Sequence, residues 1–582
     1  MTIPAAMPML EYLPPAFVLL IGAALIGCVR GALRTLVVLT APILTLLLVW
    51  QVPDGVVFEV AFLDFAIEPI EGSPVRRLFA LIFTLMALIG GLYAYRQAAW
   101  HELAAAYAYA AGAIGVSFAG DLVTLFIYWE VMAIFSTFIV WNGASRDAQA
   151  AGIRYAIMHL LGGVILMIGI EGLAVQTGSI DLRPIRAVDL STWLILIGVL
   201  VNAAAPPVSA WLADAYPRSS PTGSVFLSAF TTKAAVLALI LLFPGESVLI
   251  GVGLFMIIYG IIYALLENDI RRILAYSIVN QVGFMVCAVG IGTEMALNGA
   301  AAHAFAHIIY KALLFMSAGV VVYRTGMNRC SDVGGLFRTM PLTAICGIVG
   351  ALAISGFPLT SGFTTKTLIS QAAAQESMAF VYFMLAAASA GVFLHAGIKF
   401  PWFVFFQRDS GLRPKDAPWN MALAMLIFAG LCILLGVAPE LLYGLLPYPV
   451  EYQAYTSGKV LFYLQLLLFS GLAFFLLLPL MKRTLTISLD TDWLWRALLP
   501  RIAGHIIRAS LKIGQPFLAT ILKSLARLRG VAAALLSVSS AAPDAKPSGL
   551  LARSWSIGST ALAVLVLLTL YVLAYLFWNV HT

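Results

Sequence analysis

Sixteen apolar runs of about twenty residues leave this 582-residue chain little choice of fold. A helix of that length spans the roughly 30 Å hydrocarbon core of a bilayer and satisfies its own backbone there. The runs lie near 12–29, 32–51, 77–95, 100–119, 121–142, 151–175, 190–216, 221–243, 247–266, 272–293, 297–323, 339–375, 379–405, 417–438, 459–481 and 557–578. With 62% hydrophobic and 10% charged residues, the sequence predicts an all-α polytopic membrane protein. The net charge of +7 does not point to nucleic acid, because Lys and Arg gathered in loops on one membrane face give the same sum. The first run begins near Tyr12 without a basic leader region and reads as a retained helix.

Runs seven and twelve are interrupted by proline, at Ala205-Pro206-Pro207-Val208-Ser209 and at Gly356-Phe357-Pro358-Leu359-Thr360-Ser361-Gly362. Proline removes a backbone donor and clashes with the preceding turn, so both helices should break in mid-membrane. Breaks at matching places in two halves mark ion sites in transporters built from inverted repeats. Spans 4–8 and 9–13 would be two five-helix repeats of opposite topology. The expected organisation is three helices with an outer loop (1–99), the two repeats (100–243 and 244–405), two more helices (406–481), a basic segment with a linker (482–556) and a final span (557–582).

Charge asymmetry gives the orientation. Loops after odd-numbered spans carry Arg30, Arg34, Arg96, Arg146, Arg218, Arg271, Arg272, Arg324, Arg329, Arg338, Arg408, Arg413 and Lys415, whereas loops after spans 8, 10 and 12 carry no Lys or Arg. The odd loops are therefore expected in the cytoplasm and both termini outside, in the cell membrane. Arg76, Arg77, Arg183 and Arg186 run against the rule. The outer loop 52–76 alternates apolar and acidic residues in the pattern of a short hairpin. Residues 482–530 mix Leu and Ile with Arg496, Arg501, Arg508, Lys512, Lys523, Arg527 and Arg529, broken at Gly514–Pro516. This amphipathic segment either lies on lipid headgroups or braces a neighbouring subunit.

Charges inside the runs are costly in lipid, so they should face protein or a hydrated cavity. On span 11, His303, His307 and Lys311 recur every fourth residue, which places them on one stripe about 12 Å long. They are either hydrogen-bonded packing residues or a relay, since imidazole exchanges protons near neutral pH. Glu130 lies inside span 5, as a neutral hydrogen-bonding acid or a titrating one. Lys233 on span 8 is too far from either end to snorkel easily, and Lys366 lies just past the span 12 break, where half-helix dipoles act. Lys399 and His395 on span 13, and Arg154 and His159 on span 6, are further candidates. Asp121 opens span 5 as an interfacial residue. Five scattered cysteines and the absence of GxGxxG, P-loop and HExxH patterns point to no metal site and no bound cofactor.

The ordered motifs HxxxHxxxKALLF (from His303), Trp129-Glu130, WLADA (from Trp211), SAFTTK (ending at Lys233), NDIRRILAYS (from Asn268) and GFPLTSGFTTK (ending at Lys366) resemble one family. It is the antiporter-like membrane subunits shared by complex I (NADH–quinone oxidoreductase), membrane-bound hydrogenases and Mrp-type cation/proton antiporters. The likeness covers roughly residues 75–440, and SPTGSVFLSAFTTK and RYAIMHLLGG look most like the D-type subunits of the Mrp branch. Sixteen spans with a basic lateral segment resemble instead the largest complex I subunit and its Mrp counterpart, though the segment here is shorter. The resemblance implies that Glu130 pairs with a span 7 lysine as an input switch, and that charge then passes by Lys233, His303, His307 and Lys311 to Lys366. Asn202 stands where that span 7 lysine belongs, and no lysine occurs between residues 187 and 232. Either Arg154 or another subunit supplies the cation, or this half couples differently.

The implied function is proton movement coupled to Na⁺ or another monovalent cation, in a complex with other membrane subunits. The alternatives are a proton-pumping subunit of a redox complex and a membrane coupler for a partner such as an inorganic-carbon uptake protein. No redox site of its own is expected.

Overall fold

A computed structural model describes residues 13–62, 65–479, 490–491, 493–499, 501–506 and 508. Two compact units divide at Leu498/Leu499. In the second, 501–506 are helical; most of the basic segment (Lys512, Gly514–Pro516, Lys523, Arg527, Arg529), the linker and the final span lie outside the described residues. The first unit is helical apart from one hairpin. Among the described residues, eleven helices are long and apolar enough to cross a membrane and three shorter ones are apolar.

The chain opens with α1 (Pro15–Cys28) and α2 (Gly31–Gln51), then forms the antiparallel hairpin β1 (Gly55–Phe62) and β2 (Phe65–Gly72) that the alternation predicted. This hairpin accounts for three of the four exceptions to the charge rule. Its Glu71 takes Arg76 at 2.6 Å and Arg183 at 3.1 Å, and Arg77 meets Asp54 at 2.6 Å. Next come α3 (Pro74–Ala94), α4 (Trp100–Phe118), α5 (Leu122–Trp141) and α6 (Arg146–Thr177). Asp121 caps α5, accepting from the amides of Val123 and Thr124, and also takes the Glu68 amide of the hairpin. Its part is structural.

Both proline-bearing spans break. The first gives α7 (Leu190–Asn202) and α8 (Ala210–Ala215), with Ala204 in the left-handed region at φ +60°. Trp211 donates at 3.1 Å to the Val201 carbonyl, which also takes the Ala204 amide at 3.1 Å. The second gives α14 (Pro341–Ser355) and α15 (Ser361–Gln375); Gly356, at φ +74°, ends α14 in the manner of a glycine cap.

Two expected continuous spans are interrupted. Span 8 is split into α9 (Gly223–Leu227) and α10 (Thr231–Leu242) by a turn at Ser228–Phe230. Span 13 starts as α16 (Ala379–Val392) and widens to π-helix over Phe393–Lys399 and Trp402–Phe406. Such loosened turns recur at functional positions.

Between the breaks run α11 (Val248–Leu266), α12 (Ile270–Ile291) and α13 (Glu294–Thr325). All residues of the hydrophobic window of α12 and 94% of that of α13 are buried in protein, against 39% for α11. The α13 stripe therefore sits at the centre of the bundle. The described chain is completed by α17 (Trp419–Val437), α18 (Glu440–Tyr443) and α19 (Ser457–Leu477).

Candidate functional site: a buried row of lysines and histidines

His303, His307 and Lys311 are fully buried on α13, as are Lys233 on α10 and Lys366 on α15. The two flanking lysines solve the cost of burial in the same way. The ammonium of Lys366 donates to the Ile354 carbonyl at 2.7 Å, one of the groups left free where α14 ends. Lys233 donates to the Ser228 carbonyl at 2.5 Å, freed by the turn between α9 and α10, and to the Thr232 hydroxyl at 3.1 Å. Helix C-terminal carbonyls carry partial negative charge, so a broken helix is a ready-made seat for an ammonium.

The stripe between them is hydrogen-bonded at its His303 end only. His303 Nδ1 lies 2.9 Å from the Thr365 hydroxyl, beside Lys366, and Tyr310 bridges His303 Nε2 (3.3 Å) and Gln281 Oε1 (3.1 Å). The Phe284 ring lies 4.8 Å from the Lys366 ammonium and 5.9 Å from the His303 ring. His303 and His307 ring centres are 6.4 Å apart. Among the described residues, both His307 nitrogens and the Lys311 ammonium have no hydrogen-bond partner. Lys311 lies within electrostatic reach of both Lys233 and Lys366. No carboxylate bonds to any of these three lysines among the described residues.

Span 13 adds two groups of different kind. The Lys399 ammonium takes the Leu265 carbonyl at 2.7 Å, together with those of Ala264 and Glu267, and so caps the end of α11. His395 Nδ1 pairs with the Gly391 carbonyl at 2.9 Å.

In the first half the expected partners are rearranged. Arg154 does not pair with Glu130: it forks onto Asp214 of α8 at 2.7 and 3.1 Å. Asp214 also takes Arg218 at 2.5 Å, and Arg496 approaches it at 3.9 Å. Asn202 ends α7 with its Oδ1 2.6 Å from His159 Nδ1. Glu130 is half-buried on α5, packed on the α6 backbone at Gly163, with no salt-bridge partner among the described residues. Asp214 stood inside the quoted WLADA motif, but nothing in its spacing showed that three arginines converge on it. Asp490 was missed as well; buried, it accepts from Tyr259 and Tyr276, which ties 490–491 to α11 and α12. Among the described residues no group of His, Cys, Asp and Glu is placed to hold a metal ion.

The described residues form a bundle of long apolar helices, two of them broken at proline, with titratable side chains at its core. Residues 119–393 match the model of the family described as NADH:quinone oxidoreductase/Mrp antiporter, TM. The chain is 32% identical to NADH-quinone oxidoreductase subunit N of Desulforudis audaxviator, over 44% of this chain and 55% of that protein. It is 26% identical to a Na(+)/H(+) antiporter subunit of Alkalihalophilus pseudofirmus, over 67% of this chain and 82% of the other. One chain of the Mrp complex from Dietzia sp. DQ12-45-1b superposes with a TM-score of 0.65 at 22% identity, covering 77% of this chain and 95% of that one; this likeness shows the fold. The chain spans little more than half the length of the curated relatives it matches at 30% identity or above.

Proposed function

We propose that this protein moves protons through Lys233, His303, His307, Lys311 and Lys366, coupled to Na⁺ or another monovalent cation in an Mrp-like multisubunit membrane complex. Glu130 is the entry group of the first half, with His159 and Asn202 modulating it. Arg154 supports that half through Asp214, and Lys399 supports the exit side. The sixteen-span count, the two inverted repeats with the boundaries expected from the sequence, and termini on the outer side belong to the same proposal.

The observation that carries it is the burial of three lysines and two histidines at the centre of the bundle with no carboxylate bonded to any of the lysines among the described residues. A fold does not ordinarily hold unpaired buried cations for stability, because removing charge from water costs several kcal/mol per ion. Like charges in mutual reach make each added proton costlier than the last, so the row shares fewer protons than it has sites. That is the condition for a mobile charge. Two of its members sit on helix breaks, where a small rearrangement changes which carbonyls face the ammonium.

The intact complex, isolated in mild detergent and reconstituted, tests this. Cation pulses should quench a pH-sensitive dye in wild-type vesicles and fail to do so with Lys233→Ala, while the native-gel pattern stays unchanged. A fully active, assembled Lys233→Ala complex would remove Lys233 from the path. Two relatives named as complex I and antiporter subunits support different drives. Flavin and iron–sulfur in the isolated complex would favour the redox alternative, small hydrophobic subunits alone the antiporter.

A further inference from the structure

Among the described residues of α5 and α6, three buried polar atoms have no hydrogen-bond partner: the Trp129 indole nitrogen, Glu130 Oε1 and His159 Nε2, and the last two belong to the same stretch of α6. A Cβ built on Gly163 would fall 1.9 Å from Glu130 Oε1, so the carboxyl group occupies the side-chain space of residue 163. His159 is one helical turn earlier on the same face, where Cβ atoms so related stand about 5–6 Å apart. That places the imidazole and the carboxyl group on neighbouring positions of one helix face.

The other side of the imidazole is committed. Its Nδ1 is 2.6 Å from Asn202 Oδ1, and an amide oxygen only accepts, so Nδ1 carries the hydrogen and Nε2 presents a lone pair. The ring is packed against Tyr155 (centroids 4.1 Å) and Trp211 (4.5 Å), which fix its plane. Arg154, the nearest cation on α6, is held by Asp214 and leaves the pair alone. Gly163 is therefore a requirement of the site, since any side chain there would displace the carboxyl group.

We infer that His159 is the proton partner of Glu130, an imidazole on α6 working where the family resemblance would put an ammonium on α7. In the step, the Glu130 O–H bond breaks and the Nε2–H bond of His159 forms. This leaves a carboxylate facing an imidazolium whose Nδ1–H still rests on Asn202. Return of the proton restores two neutral groups. Asn202 is the positioning residue that selects the tautomer. Onward, Tyr155 donates to the Ser136 hydroxyl at 3.0 Å, and Tyr109 meets the Thr231 hydroxyl at 2.6 Å, two residues before Lys233. The inference rests on the proton-moving function proposed above.

The test uses His159→Gln, which keeps a side-chain amide donor for Asn202 but takes up no proton, in the intact complex. Two readouts separate the inference from the function it rests on. Proton movement should fall about tenfold in His159→Gln and return to at least half the wild-type rate in His159→Gln/Asn202→Lys, where an ammonium on α7 supplies the partner. Independently, the Glu130 carboxyl infrared band, identified by its loss in Glu130→Gln, should titrate in two coupled steps in wild type and in one step in His159→Gln. Superimposable infrared titrations, or undiminished transport in His159→Gln, would each overturn the pairing. A wild-type complex that moves no protons under any drive would refute the proposed function, while the infrared titration would still decide whether the two groups are coupled.

Discussion

The ammonium of Lys366 donates to the carbonyl of Ile354 at 2.7 Å, across the gap where α14 ends and α15 begins. Twelve residues of sequence separate the two, and the broken helix is what brings them together. A hydrogen bond to a charged group contributes about 1.5–3 kcal/mol, and losing it leaves a buried carbonyl bare. Lys366→Gln keeps a donor and should shift the melting temperature of the complex by only a few degrees, while proton movement falls at least tenfold. Thermal melts and dye-quench rates on the same preparation check this. Near wild-type transport would make Lys366 a helix clamp and nothing more.

His303 and His307 should be partly redundant. Each is flanked by another polar member of the row, and a water can stand in for one missing imidazole. His303→Ala and His307→Ala are each expected to slow transport a few-fold, and the double variant to stop it. His303→Ala should cost more stability, because it strips partners from Thr365 and Tyr310, whereas His307 has none among the described residues. A double variant as active as either single one would turn the stripe into packing.

Asp214 gathers Arg154, Arg218 and Arg496, with its own side chain 3% exposed and the arginines 23–37% exposed. Neutralising it leaves three like charges converging on an amide. Asp214→Asn should destabilise the first unit by about 1–3 kcal/mol, less than a fully buried pair because water reaches the arginines. Arg496→Ala, 3.9 Å away, should be close to neutral. Melting temperatures of the three proteins decide; equal losses for Asp214→Asn and Arg496→Ala would contradict this ranking.

One pH dependence follows from the loop after span 13. Asp409 bonds Arg413 at 2.6 Å, Arg338 at 3.0 Å and the Gly411 amide at 2.9 Å, and the Arg413 hydrogen bond above all holds its carboxyl below the usual carboxylate range. A depressed folded-state value adds stability that is present above the unfolded value of about 4 and is lost as pH falls through the folded one. Amide exchange at Gly411, corrected for its intrinsic rate, should stay slow at pH 4 and speed up only in stronger acid. In Asp409→Ala, which removes the acceptor, it should be fast throughout. Fast wild-type exchange already at pH 5 would refute this.

Much of the bundle was legible because period and proline are local signals. The α13 stripe follows from residues four apart, and both proline breaks fall where Pro206–Pro207 and Pro358 put them. The turn at Ser228–Phe230 was hidden, since that stretch has neither proline nor glycine and reads as continuous helix. The π-helical turns around His395 and Lys399 left no mark in the composition either. Pairings across 43 or 60 residues, His159 with Asn202 and Arg154 with Asp214, depend on how α6 rotates against α7 and α8. No spacing rule encodes that rotation.

Lys311 tests the central claim most directly, because it is fully buried and has no hydrogen-bond partner among the described residues. A group kept for stability would be missed by the fold, whereas a group kept for charge movement is a burden on it. Proton movement and melting temperature should therefore be measured together for the Lys311→Met complex, a swap of similar length without the charge. The account predicts transport reduced to background with a melting temperature equal to or above wild type. Normal proton movement, or a complex that falls apart while its remaining intact fraction transports normally, would contradict it.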